Sequence, residues 1–97
     1  MQDIFNQDLE FDWDPGNIDK NLFKHNVTNQ ECEAAFLDLK AFVTADVSHF
    51  TNEPRYQLLA KNNKRYLAIY FTIRKNKIRV ISARDMNKKE KTQYETI

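Results

Sequence analysis

Glycine is almost absent from this 97-residue chain: Gly16 is the only one. A glycine-rich phosphate loop, which needs several glycines for close backbone approach, is therefore excluded. Cys32 is the only cysteine, so there is no internal disulfide and no cysteine-based metal site. His25 and His49 lie far apart, neither in a ligand-spaced motif, and no zinc site or other cofactor is expected. No apolar run approaches the roughly 20 residues of a membrane span. Met1–Phe5 has neither the basic start nor the apolar stretch of a signal peptide, which leads to the expectation of a cytoplasmic protein. A nucleophile elbow is missing too. With only two prolines but seven Phe and four Tyr, the composition is that of an ordered chain rather than a disordered one. The length fits one domain over residues 1–97.

The formal net charge of +1 conceals a strong asymmetry. Residues 1–53 carry Lys20, Lys24 and Lys40 against eleven acidic residues, a balance of −8. Residues 54–97 hold the other twelve basic residues against Asp85, Glu90 and Glu95, a balance of +9. Such a split suggests an acidic half and a half that faces a polyanion. The alternative is that the halves neutralise each other within the fold.

Residues 1–7 read as a loose leader. Leu9–Asp14 alternates, with Leu9, Phe11 and Trp13 on one side and acids on the other, the pattern of a half-buried edge strand. Asp14-Pro15-Gly16 stops it, and Asp14 can cap a helix running to about Lys24 with Ile18, Leu22 and Asn21 inward. Thr28 and Glu31 have capping-box spacing, which predicts a second helix to about Leu39 with Cys32, Ala35, Phe36 and Leu39 as its apolar stripe. Cys32 is expected to be a small core residue. Phe42–Val47 is a possible short strand, and Ser48–Pro54 is turn-like. Three strands follow, Arg55–Lys61, Arg65–Arg74 and Lys77–Arg84, joined by Asn62-Asn63 and Lys75-Asn76. In the middle strand Leu67, Ile69, Phe71 and Ile73 share one face, and Tyr66, Ala68, Tyr70, Thr72 and Arg74 the other. Strict alternation in the last strand puts Ile78, Val80, Ser82 and Arg84 together, opposite Arg79, Ile81 and Ala83. A Lys-rich helix from about Asn87 to Glu95 closes the chain. The expected class is α+β, with helices on one face of an antiparallel sheet.

The chemistry-bearing residues are cations on and near the sheet: Arg55, Lys64, Arg65, Arg74, Arg79 and Arg84, interleaved with Tyr56, Tyr66 and Tyr70. Guanidinium groups fit phosphate and aromatic rings stack unpaired bases, so the pattern suits RNA. Metal-free RNA cleavage needs only a group to take the 2′-hydroxyl proton, cations at the phosphate and an acid for the leaving oxygen. The same residues suit a module that binds an acidic protein partner without catalysis, and the residue types alone do not separate the two.

Phe11-Asp12-Trp13-Asp14, then Asn21, Lys24-His25, Val27 and Glu33-Ala34-Ala35-Phe36, resemble the opening of the BrnT toxins of type II toxin–antitoxin systems. Glu53-x-Arg55, Thr72-x-Arg74, Ile78–Arg84, and a closing helix with Glu90 and Tyr94 continue the resemblance over about residues 9 to 95. It implies a RelE-like α+β fold, metal-independent endoribonuclease activity that blocks translation, and no cofactor. It also implies neutralisation by a BrnA-like ribbon-helix-helix antitoxin in a heterotetramer, with operator DNA reached only through the antitoxin. Carried across by position, it implies Lys24, His25, Arg55, Arg74 and Arg84 as catalytic residues. In that scheme Arg74 and Arg84 hold the scissile phosphate, Arg55 positions substrate and His25 transfers a proton. Glu53 is an alternative base or the partner that orients Arg55. Arg65, Arg79, Tyr66 and Tyr70 are then the candidates for RNA contact. Two departures from the family pattern are Asn17, where a lysine is usual, and Ala60, where a glycine is common.

Overall fold

The computed structural model describes residues 9–46 and 53–96. The expected leader, Val47 of the first short strand and the Ser48–Asn52 turn lie outside the described residues. The elements are α1 (Lys20–His25), α2 (Asn29–Ala35), β1 (Phe42–Ala45), β2 (Tyr56–Asn62), β3 (Arg65–Arg74), β4 (Lys77–Asp85) and α3 (Lys88–Glu95). The strands form one antiparallel sheet in the order β1-β2-β3-β4. The class is α+β, as expected from the sequence.

The two hairpins follow from asparagine and lysine in place of glycine. Asn63 (φ 57°) opens the β2–β3 turn, and Lys75 (φ 53°) and Asn76 (φ 65°) make the β3–β4 turn. Positive φ at both central residues of the β3–β4 turn matches the twist of a tight hairpin. One sheet face carries the main core: Leu58, Ala60, Leu67, Ile69, Phe71, Ile78, Val80 and Ala83 pack with Val27, Cys32, Ala35 and Phe36. A line of rings crosses it, with Phe36 edge-on to both Phe11 (5.4 Å) and Phe71 (5.1 Å). Cys32 is buried, and burial pushes its thiol up to about 12, which suits a core residue and not a nucleophile. The opposite face holds a smaller cluster of Leu59, Ala68 and Tyr94. Tyr94 belongs to α3, so that helix covers the second face instead of joining the others.

The β4 register breaks the expected alternation. Tyr70 pairs with Ser82 while Phe71 pairs with Val80, so Ile81 is an extra residue in a β-bulge. Val80 and Ala83 both reach the main core. Arg84 opposes Ala68 and Arg79 opposes Thr72, which places both arginines on the second face. The expectation that Arg84 shares a face with Ile78 and Val80 is thereby corrected.

The N-terminal segment seals the free edge of β4, but by means the hydrophobic pattern does not reveal. Phe11 makes a parallel bridge to Ile78, in place of a full strand. Asn17 Nδ2 then donates to the carbonyls of Asp12 (2.9 Å) and Val80 (3.1 Å). Asn21 Oδ1 accepts from Ala83 N at 2.9 Å. Asn17 and Asn21 are therefore the inward residues, while Ile18 is 45% and Leu22 37% exposed. Satisfying a buried strand edge outweighs burying two aliphatic side chains. The Asp14 side chain forms a turn with Gly16 N (2.8 Å), and regular helix begins only at Lys20. A Cβ at Gly16 would stand 3.0 Å from Asp14 Oδ1 and 3.1 Å from Arg79 Nη2, so the one glycine leaves room for that ion pair.

The α2 capping box forms as expected. The helix ends at Ala35, however, and Leu39 is fully exposed. Asp38 stops it: Oδ1 accepts from Lys40 N, and Oδ2 from Lys61 N and the Tyr94 hydroxyl.

Asn21→Ala removes the acceptor for a buried backbone N–H and is expected to cost about 1–3 kcal/mol in urea unfolding. Leu22→Ala, one residue on, is expected to stay within about 0.5 kcal/mol. The reverse ranking would contradict the assignment of the inward face.

Candidate active site

Register gathers Gln57, Tyr70, Thr72, Arg74, Arg79, Ser82 and Arg84 on the second sheet face. Arg55, one residue before β2, lies with its guanidinium 5.3 Å from the centre of the Tyr70 ring. The Arg84 guanidinium lies 5.7 Å from the same ring. Two cations thus flank one phenol, which is half-buried.

Glu90, buried and on α3, fixes Arg84. Its carboxylate accepts from Nη1 at 2.7 Å and Nη2 at 2.9 Å, a planar two-bond clasp. It also accepts from Gln57 Nε2 (3.0 Å) and closes the α3 capping box with Asn87. The Arg84 hydrogen bonds hold this carboxyl below the ordinary carboxylate range, and the same pairing raises the arginine's own affinity for its proton. Residue pattern gave little warning of this link; the Asn87-x-x-Glu90 capping spacing was the available signal.

A second cluster lies toward the far end of β3. Arg74 donates to both Glu53 oxygens, at 2.9 and 2.6 Å. Arg79 donates to both Asp14 oxygens, at 2.9 and 3.0 Å, with Asp12 at 3.5 Å. The Arg74 and Arg79 hydrogen bonds lower the Glu53 and Asp14 carboxyls respectively. Glu53 therefore orients Arg74 and not Arg55, whose ion-pair partner is Asp46 at 3.6 Å.

These pairs also settle the charge asymmetry. Arg55–Asp46, Arg65–Glu31, Arg74–Glu53, Lys77–Glu10 and Arg79–Asp12/Asp14 each join the basic half to the acidic one. The two halves neutralise each other across much of the sheet.

Several expected positions fall elsewhere. Arg84 stands opposite Ala68, six residues from Arg74 along β3, a separation of about 20 Å. The two arginines share a face but not one phosphate. Arg65 is a staple: it bonds Asp85, Glu31 and the carbonyls of Asn26 and His25. It ties the end of α1 to the end of β4. Lys24 and His25, exposed at the α1 C-terminus, consequently stand at the Arg84 end of the sheet. The Tyr66 ring is occupied, with Lys61 and Lys91 against it, Tyr94 edge-on at 5.8 Å and its hydroxyl on Glu95. Of the two tyrosines expected to stack bases, only Tyr70 lies among the arginines. The departures from the family pattern have structural roles here: Asn17 holds the β4 edge and Ala60 is buried in the core. Among the described residues no group of three or more His, Cys, Asp or Glu side chains is arranged to hold a metal ion.

Glu90 links stability to pH. Its folded-state carboxyl lies below the unfolded value of 4.5, so its contribution is complete above that value and lost as pH falls through the folded one. Glu90→Gln is expected to lower stability at pH 7 by roughly 1.5–3 kcal/mol. Thermal unfolding between pH 7 and 3 should also show a shallower acid loss in the variant; parallel profiles would contradict the linkage.

No helix among the described residues is long and apolar enough to cross a membrane. A comparison with curated proteins gives no match. A family model described as the ribonuclease toxin BrnT of type II toxin–antitoxin systems matches residues 13–90, from the tryptophan over the core to the carboxylate that holds Arg84. Most of the chain lies within that match, and the chain belongs to the BrnT toxin family.

Proposed function

We propose that this chain is a metal-independent endoribonuclease that cleaves RNA in the cytoplasm and thereby blocks translation and growth. The observation that carries the reading is that Arg55 and Arg84 flank Tyr70 on a sheet face that also carries Arg74 and Arg79 farther along. A guanidinium that grips a carboxylate through two parallel bonds offers the same fork to a phosphate. In this scheme Arg84 and Arg55 hold the scissile phosphate beside Tyr70. Arg74 and Arg79 hold a neighbouring phosphate of the same strand, displacing exposed carboxylates such as Glu53. His25, with Lys24 beside it at the Arg84 end, takes the 2′-hydroxyl proton.

The family's type II character implies a protein antitoxin. Our reading is a BrnA-like ribbon-helix-helix protein that dimerises, which gives a heterotetramer and leaves operator DNA to the antitoxin. One observation favours a second reading, a non-catalytic module that grips an acidic protein segment: the arginines of this face already hold carboxylates.

Labelled single-stranded RNA incubated with the protein in EDTA separates the two. Cleavage leaving cyclic phosphate ends is expected. Arg84→Lys keeps the charge but loses the fork, and should lower the rate by about 10²-fold or more. His25→Ala should lower it by about 10²–10⁴-fold. No cleavage by the parent would favour the binding module, and unchanged rates in both variants would contradict the assigned site.

A further inference from the structure

Tyr70 is more than a stacking platform. Gln57 Nε2 donates to Glu90 Oε2 at 3.0 Å and to Tyr70 Oη at 2.9 Å. A carboxylate only accepts, so the amide's nitrogen end must face this pair, with one hydrogen for each partner. Arg84 Nη2 brings a second donor to the same phenol oxygen at 3.3 Å. A guanidinium has no acceptor. The Tyr70 hydroxyl therefore accepts from both neighbours, and its own hydrogen is left for a group outside this network.

We propose that Tyr70 is the general acid of the RNA-cleaving site, giving its hydroxyl proton to the 5′-oxygen of the leaving nucleotide. This rests on the reading above as a metal-free ribonuclease. The 2′-oxygen forms a bond to phosphorus as its proton passes to His25. The phosphorus–5′-oxygen bond breaks as that oxygen takes the Tyr70 proton. The products are a 2′,3′-cyclic phosphate and a 5′-hydroxyl, and the proton on His25 returns to the phenolate through solvent. The phenolate keeps its N–H bonds from Gln57 and Arg84, now charge-assisted, and two guanidiniums remain against its ring. Gln57 and Glu90 act through Tyr70 and Arg84 and are positioning residues.

The test uses Tyr70→Phe, which keeps the ring between Arg55 and Arg84, on two RNA substrates. One has the natural linkage at the site the parent cuts. The other has sulfur in place of the bridging 5′-oxygen, whose thiolate departs without a proton. On the oxygen substrate the variant should lose about 10²–10⁴-fold in rate. On the sulfur substrate it should cleave close to the parent rate. Gln57→Ala should show a smaller loss with the same oxygen-only signature, and it tests the scheme independently should Tyr70→Phe not fold. Equal losses on both substrates, or no loss on oxygen, would overturn the assignment while the ribonuclease reading stands. A parent that cleaves neither substrate overturns that reading and this inference with it.

Discussion

One extra residue in β4 decides what the sheet can do. Without the bulge at Ile81, Arg84 would point with Val80 to the main-core face. With it, Val80 and Ala83 both stay in the core and Arg84 crosses to the face that carries Tyr70. Bulges re-aim side chains in this way and are frequent beside active sites. Once Arg84 is on that face, Glu90 must follow, because a guanidinium half-withdrawn from water needs a partner. Glu90 is also the third residue of α3, so the same carboxylate sets where the last helix begins. The strand irregularity, the arginine, the helix start and the phenol between two cations are one connected arrangement.

The electrostatics of this face are those of stored, exchangeable pairing. Arg84–Glu90 is the protected pair, with the Glu90 side chain only 9% exposed, and it gives the site rigidity. Arg74–Glu53 is open to solvent on both sides, so in the proposed reading an incoming phosphate would compete with a well-hydrated carboxylate. A site built this way binds anions less tightly than a bare cluster of arginines would. It gains geometry in return, since each guanidinium is already oriented before substrate arrives. The net charge of the sequence halves therefore overstates the basic character of the folded surface.

The meander was legible because its signals are local: alternation in β3, asparagines at turns and capping pairs at helix starts. The α+β class and the family resemblance followed from these. Around α1 the inward place of Asn21 was legible, but Ile18 and Leu22 read as inward and Asn17 did not, because its contribution is hydrogen bonding to a strand edge about 60 residues away. The exposure of Leu39 was hidden by Asp38, whose partners Lys61 and Tyr94 belong to other elements. Arg79 lies on the face opposite Ile78 and Val80 as alternation predicts, but Ser82, Ala83 and Arg84 beyond the bulge were misassigned for a related reason: a bulge leaves no mark in an alternating pattern rich in β-branched residues. Of the candidate site, the arginines and Tyr70 were readable as residue types, while the internal contacts of Arg65 and Tyr66 were not. Gln57 and Glu90 entered only through tertiary contact.

In the proposed reading RNA meets the sheet face around Tyr70. The most direct measurement is an NMR titration of the protein with a short 2′-O-methyl RNA, which binds but cannot be cleaved, following arginine side-chain and tyrosine ring signals. Perturbations concentrated at Arg55, Tyr70, Arg74, Arg79 and Arg84 are expected, with Arg65 and Tyr66 unmoved. Perturbations centred on Arg65 and Tyr66, with the Tyr70 ring silent, would contradict it.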